Sequence, residues 1–122
     1  MKNILLLIAI VFAASACNSG GNLDKIQGKW LRPDGNYVLE IKEVLPGGKL
    51  RAAYYNPSDI KISKATYSED KGTIKVHVEF ADENYHGSKY NLVYDAKLDM
   101  MKGVYYQAMM GQTYEINFVR KR

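Results

Sequence analysis

The sequence predicts an all-β fold, an eight-stranded antiparallel up-and-down (meander) barrel, on three observations. Apolar and polar residues alternate with a period of two in one run after another, the pattern of strands with one buried and one wet face. Seven short clusters rich in Gly, Pro, Asn and Asp separate the runs, and those residues supply turn geometry. Helical spacing of apolar residues is almost absent from the same part of the chain. Seven turns imply eight strands, each paired with the next, and a sequential meander of that size closes on itself and so removes its exposed edges.

The first strand, over 28–32, opens with Gly28-Lys29-Trp30 and ends at the turn Pro33-Asp34-Gly35-Asn36. Tyr37-Val38-Leu39-Glu40-Ile41-Lys42 carries the second, over 36–44, and Pro46-Gly47-Gly48 turns it into the third, over 49–55. Asn56-Pro57-Ser58-Asp59 leads to a fourth over 60–68. There Ile60 and Ile62 share a face while Ala65 and Tyr67 take the opposite phase, so a bulge near Ser63-Lys64 is needed to restore register. Glu69-Asp70-Lys71-Gly72 introduces the fifth strand, over 73–81, which alternates cleanly through Ile74, Val76, Val78 and Phe80. After the loop Asp82–Gly87 come the sixth over 88–95, the seventh over 100–107 and the eighth over 112–120, joined at Ala96–Asp99 and Ala108–Gly111. Leu50-Arg51-Ala52-Ala53-Tyr54-Tyr55 and Met101-Lys102-Gly103-Val104-Tyr105-Tyr106 echo each other. Each places a small residue where the wall bends or a neighbouring ring intrudes.

Ahead of the strands, Lys2 precedes eleven apolar residues from Ile4 to Ala14, and Ala14-Ser15-Ala16 precedes Cys17, the only cysteine. The apolar run is too short to span a bilayer and suits a cleaved signal peptide, residues 1–16. Small residues followed by cysteine resemble the lipobox of bacterial lipoproteins, although that family usually has Leu where this chain has Ala14. The resemblance implies that Cys17 is lipidated and becomes the first mature residue, anchoring the protein to a membrane of the bacterial cell envelope. Asn18, with no acidic residue beside it, fits sorting to the outer membrane. Residues 17–27 then form a short tether whose Asn18-Ser19-Gly20-Gly21-Asn22 has linker composition. A single cysteine allows no internal disulfide, so burial alone must hold the fold. The net charge of +4 is mild and its basic residues are scattered, which excludes a nucleic-acid footprint. Arg120-Lys121-Arg122 is the one basic run; touching lipid headgroups and keeping the chain end soluble are both open to it.

Gly28-Lys29-Trp30 at the first strand and Arg120 at the end of the last resemble the Gly-x-Trp and C-terminal Arg of the calycins, the lipocalins, avidins and their relatives. That resemblance implies a lipocalin-like barrel domain over 28–122, with Trp30 plugging one end and Arg120 covering it. The meander brings the start of strand one and the end of strand eight to the same end, so the guanidinium can lie over the indole. Gly48-Lys49-Leu50-Arg51-Ala52-Ala53-Tyr54 is similar to the Gly-x-Leu-x-Gly-x-Tyr strand of avidins, which implies a ligand-facing Tyr54. Biotin is not implied, because that family surrounds it with several tryptophans and this chain has Trp30 alone.

Parity and chain direction aim Arg32, Tyr54, Tyr105, Gln107 and Gln112 inward near the other, open end. They form a candidate pocket for a small molecule bearing a planar or acidic group. Two readings stand here. A barrel of eight strands is only just wide enough for side chains, so inward tyrosines can fill it outright, and Arg32 can pair with Asp34 or Asp59 instead of a ligand. His77 falls on the outer face and His86 in a loop, with no triad or metal spacing. No catalysis, metal or cofactor is therefore expected. The expected function is non-catalytic small-molecule binding at the open end. The alternative is an envelope protein partner held by the open-end loops, where Met109-Met110 offers adaptable apolar contact.

Overall fold

The computed structural model describes residues 23–122. The expected signal segment, Cys17 and the tether as far as Asn22 lie outside the described residues. The strands are β1 (Gly28–Arg32), β2 (Tyr37–Leu45), β3 (Lys49–Asn56), β4 (Ser58–Ile60), β5 (Ile62–Asp70), β6 (Thr73–Phe80), β7 (Lys89–Asp95), β8 (Met100–Gln107) and β9 (Gln112–Arg120). Each pairs antiparallel with its neighbours, and β1 pairs with both β2 and β9, setting Trp30 opposite Arg120. The sheet is therefore closed. It is the all-β, eight-position up-and-down barrel that the alternation and the turns predict.

Nine strands fill eight positions because β4 and β5 share one. β4 pairs with the end of β3 through Tyr54 and Ile60, and β5 with its start through Lys49 and Thr66. Between them the backbone of Lys61 leaves the ladder. Its N–H donates to Asp82 Oδ2 at 3.1 Å and its carbonyl accepts from the Ala81 N–H at 2.9 Å. The β5–β6 register then shifts between Ile62 and Lys64, which is the bulge that the phase change from Ile60 and Ile62 to Ala65 and Tyr67 requires. At Gly103 an added Cβ would collide with the Asn91 backbone carbonyl, so a bend that brings β7 close, and not a neighbouring ring, demands the small residue.

Side chains fill the barrel for most of its length. Trp30, Tyr54, Phe80, Tyr90 and Phe118 are buried with Leu39, Ile41, Val76, Val78, Leu92 and Met101. Tyr90 packs at 4.6 Å from Tyr105 and 5.1 Å from Phe118, and Tyr54 at 4.7 Å from Phe80, between ring centroids. Burying each such side chain contributes about 1.5 to 3 kcal/mol. With a single cysteine and so no internal disulfide, burial of this core holds the fold.

The end of the barrel where β1 begins is sealed. Asp24–Ile26 forms a short 3₁₀ turn and Ile26 is fully buried, so the ordered domain starts ahead of Gly28 and the expected tether does not run free to residue 27. The physical reason is a hydrogen bond from Trp30 Nε1 to the Ile26 carbonyl at 2.9 Å, which draws the turn beneath the indole. The Arg120 guanidinium lies 4.3 Å from the Trp30 ring centroid. It is clamped by Asp99 at 2.7 and 3.0 Å and donates also to the carbonyls of Gln27 and Lys25. Gly28 has φ of +134°, and a Cβ there would stand 2.8 Å from Arg120 Nη1, so both conformation and space call for glycine.

Candidate functional site

At the opposite end a cleft of about 470 Å³ opens, lined by Arg32, Asp34, Tyr37, Tyr54, Asn56, Tyr85, Tyr105, Gln107, Tyr114, Glu115 and Ile116. That volume falls within the range of about 300 to 1,000 Å³ common for small-molecule sites. Of the residues expected from sequence, the cleft brings together Arg32, Tyr54, Tyr105 and Gln107. Gln112 is not among its lining; it is exposed and accepts a hydrogen bond from the Tyr114 hydroxyl at 2.6 Å. Parity aims Gln112 inward, but it stands at the rim beyond the packed wall, beside the Ala108–Gly111 turn.

Arg32 ends β1 and reaches back across the mouth. Its Nε and Nη2 donate to the two carboxylate oxygens of Asp34 at 2.7 and 2.8 Å, and Nη1 donates to the Tyr90 hydroxyl at 2.8 Å. The guanidinium also lies 4.3 Å from the Tyr37 ring centroid. Of the two partners open to Arg32 in the sequence, the β1–β2 turn supplies Asp34. A guanidinium carries five N–H groups, so this arrangement leaves two for whatever occupies the cleft. Beneath it the Tyr54 and Tyr90 hydroxyls are hydrogen-bonded at 2.7 Å. The floor of the cleft is thus a chain of groups running Asp34, Arg32, Tyr90, Tyr54.

The loop between β6 and β7 forms one wall. Asp82 caps a 3₁₀ turn, Glu83–Tyr85, accepting from the Glu83 N–H at 3.0 Å as well as from Lys61. Ser88 is buried, its backbone carbonyl accepting from the Phe80 N–H and its hydroxyl from the Ala108 N–H, both at 3.0 Å. These bonds swing Tyr85 over the mouth, where its ring packs edge-on against Phe80 and its hydroxyl accepts from Asn56 Nδ2. Sequence reasoning missed Asp34, Tyr37, Asn56, Tyr85, Tyr114, Glu115 and Ile116 as lining. Tyr37, Tyr114 and Ile116 carried inward parity; Glu115 has outward parity on β9, Asn56 ends β3 just past the expected strand, and the loop residues Asp34 and Tyr85 carry none.

Burial opposes the charge of Arg32, and its bonds to Asp34 and Tyr90 outweigh that, holding it above its ordinary value. The same hydrogen bond from Arg32 holds the Asp34 carboxyl below the usual range. Burial raises Tyr54 well above a normal phenol and pushes Tyr90 up to about 12, against the opposing bonds from Tyr54 and Arg32. Burial raises Tyr105 as well. Every shifted group moves away from neutrality, so the floor is locked as one cation, one anion and neutral phenols. Such a set presents fixed donors, acceptors and aromatic faces to the cleft. Among the described residues no group of three or more His, Cys, Asp and Glu is placed to hold a metal ion. His77 lies on the outer surface, bonded to Asn91 at 2.7 Å and Glu79 at 3.2 Å.

The architecture is a closed eight-position antiparallel barrel, consistent with a calycin-like fold. Comparison with known proteins finds no matching family model, no matching curated protein and no matching solved structure.

Proposed function

We propose that this chain is a lipid-anchored, calycin-like barrel of the bacterial cell envelope, held to the outer membrane through Cys17, that binds a small molecule at its open end without catalysing its conversion. The observation that carries the reading is the cleft over the Asp34–Arg32–Tyr90–Tyr54 chain. Two guanidinium N–H groups, several phenols and two side-chain amides border it, and aromatic faces stand beside them.

The same geometry narrows the ligand beyond what the sequence supported. Asp34 neutralises Arg32 in a two-point pair, so an acidic ligand would meet a guanidinium whose charge is already compensated. A cation would meet an equally compensated carboxylate. A purely apolar ligand would leave phenols and amides without partners, at about 1 to 3 kcal/mol for each buried group. The ligand that fits is uncharged, with a flat apolar face and hydroxyl or carbonyl groups at its edge. A neutral sugar ring has that chemistry.

Native mass spectrometry of the full chain purified from its own membranes, followed by calorimetric titration with neutral mono- and disaccharides and with carboxylates of similar size, tests this. The neutral compounds are expected to bind. Arg32→Ala and Tyr54→Phe are expected to weaken them about tenfold to a hundredfold while the fold persists. Lowered stability in these variants, with no retained or titratable ligand in the parent, overturns the pocket. That result favours the second reading, an envelope protein partner held by the open-end loops, which rests on Met109 and Met110, 75 % and 65 % exposed at the β8–β9 turn.

A further inference from the structure

The sealed end carries its own surface. Lys25, Lys29, Lys42, Lys97, Lys121 and Arg122 are all exposed there. They come from the turn before β1, from β1 and β2, from the β7–β8 loop and from the end of the chain after β9. Because β2, β1, β9 and β8 are consecutive in the sheet, these residues form one continuous patch. Of the neighbouring acids, Glu43 pairs with Arg51 at 2.8 Å, Asp95 with Lys102 at 3.4 Å, and Asp99 with Arg120 at 2.7 Å and Arg122 at 3.9 Å. Asp24 beside Lys25 and Glu69 and Asp70 beside Lys71 are exposed as well, but the lysines outnumber them, so positive charge is in excess on this side. The open end is more evenly balanced, with Asp59, Asp82 and Glu83 set against Lys61 and Lys89, and Asp34 paired with Arg32.

Two further features point the same way. Leu98, at the tip of the β7–β8 loop, is 57 % exposed beside Lys97. The loop holds it there through the Leu98 N–H bond to Asp95 Oδ1 at 3.2 Å and a left-handed Asp99 with φ of +51°. Cys17, the residue proposed above to carry the lipid, lies six residues before Leu23, and Leu23 lies two residues before Lys25.

We infer that the sealed end is a membrane-facing surface that rests on anionic phospholipid headgroups, the basic patch supplying the attraction and Leu98 entering the interface. A charged surface of this kind acts within a Debye length of the headgroups, about 10 Å at 0.1 M salt, and an exposed leucine among lysines finds an apolar environment there. The consequence is orientation: the barrel stands on its sealed end, and the cleft faces away from the membrane. This inference rests on the barrel's own charges and is independent of which ligand the cleft takes.

Lysine acylation footprinting of the full chain, reconstituted in vesicles of phosphatidylcholine alone or mixed with phosphatidylglycerol, tests it. Lys25, Lys97 and Lys121 are expected to react about threefold or more slowly in the anionic vesicles, and high salt should abolish the difference. Lys61, Lys64 and Lys89, towards the open end, should react alike in both. The double variant Lys97→Glu with Lys121→Glu should lose the protection of Lys25, with unchanged Trp30 fluorescence reporting an intact sealed end. Equal reactivity of the sealed-end lysines in the two vesicle types, or protection of the open-end lysines instead, would overturn the inference.

Discussion

The two ends of this barrel carry the same device for different ends. At each, an arginine lies 4.3 Å from an aromatic ring centroid, Arg120 over Trp30 and Arg32 over Tyr37. Each is clamped at two points by an aspartate, Asp99 or Asp34. The difference lies in what the remaining N–H groups meet. Arg120 spends them on the carbonyls of Gln27 and Lys25, tying the incoming chain over the plug. Arg32 gives one to Tyr90 and turns the rest to the cleft. An arginine–aromatic–aspartate unit is thus a seal where backbone closes over it and the floor of an open cleft where none does.

The largest expected effect is at the seal. Trp30→Ala should cost about 3 to 5 kcal/mol, read as a shift in the urea midpoint, because a fully buried indole holds Ile26, Tyr94 and Arg120 together. Truncating Tyr37 at the open end, where the ring is only partly buried, should cost far less. Comparable losses would break the distinction. Next comes Gly28→Ala, which forces a side chain into a left-handed backbone and against Arg120. A loss of about 1 to 3 kcal/mol is expected, whereas Gly47→Ala, which shares the left-handed strain at φ +81° but has open space around it, should lose less.

A further contrast is a pH response at the open end. Tyr90 has its folded value raised to about 12, against about 10 for a free phenol. The stability it contributes is complete below about pH 10 and is lost as the pH rises through the folded value near 12. Ultraviolet titration should show Tyr90 ionising after the exposed tyrosines, and Tyr90→Phe should blunt the alkaline loss of stability. Ionisation of all tyrosines together near pH 10 would contradict the packing of Tyr54 against Tyr90.

Much of this was legible in the sequence, because a closed meander leaves little choice once its turns are placed. Period two assigned Tyr54, Phe80, Tyr90 and Phe118 to the interior, and the change of phase after Ile62 located the bulge. The split of the fourth position at Lys61 was not legible, since it depends on Asp82, twenty-one residues away. Ile26 precedes the first alternation and so read as tether. At the site, strand parity found Arg32, Tyr54 and Tyr105. Asn56, placed in a turn by its Asn-Pro sequence, ends β3 in phase with Tyr54, and Tyr85 joins the cleft from a loop, whose side chains obey no period. Gln112 shows the converse: parity holds along a strand, but burial ends where the wall does.

The most direct test of the contrast between the ends is equilibrium urea unfolding of Arg120→Ala and Arg32→Ala side by side. Arg120→Ala uncovers the Trp30 face and strips partners from Asp99, Gln27 and Lys25, for an expected loss of about 2 to 3 kcal/mol. Arg32→Ala removes a side chain only 11 % exposed, but it leaves Tyr90 bonded to Tyr54 and returns Asp34, whose side chain is 57 % exposed, to water, for an expected loss of about 1 to 1.5 kcal/mol. A loss at Arg32 equal to or greater than that at Arg120 would contradict the account and make the open end a second plug.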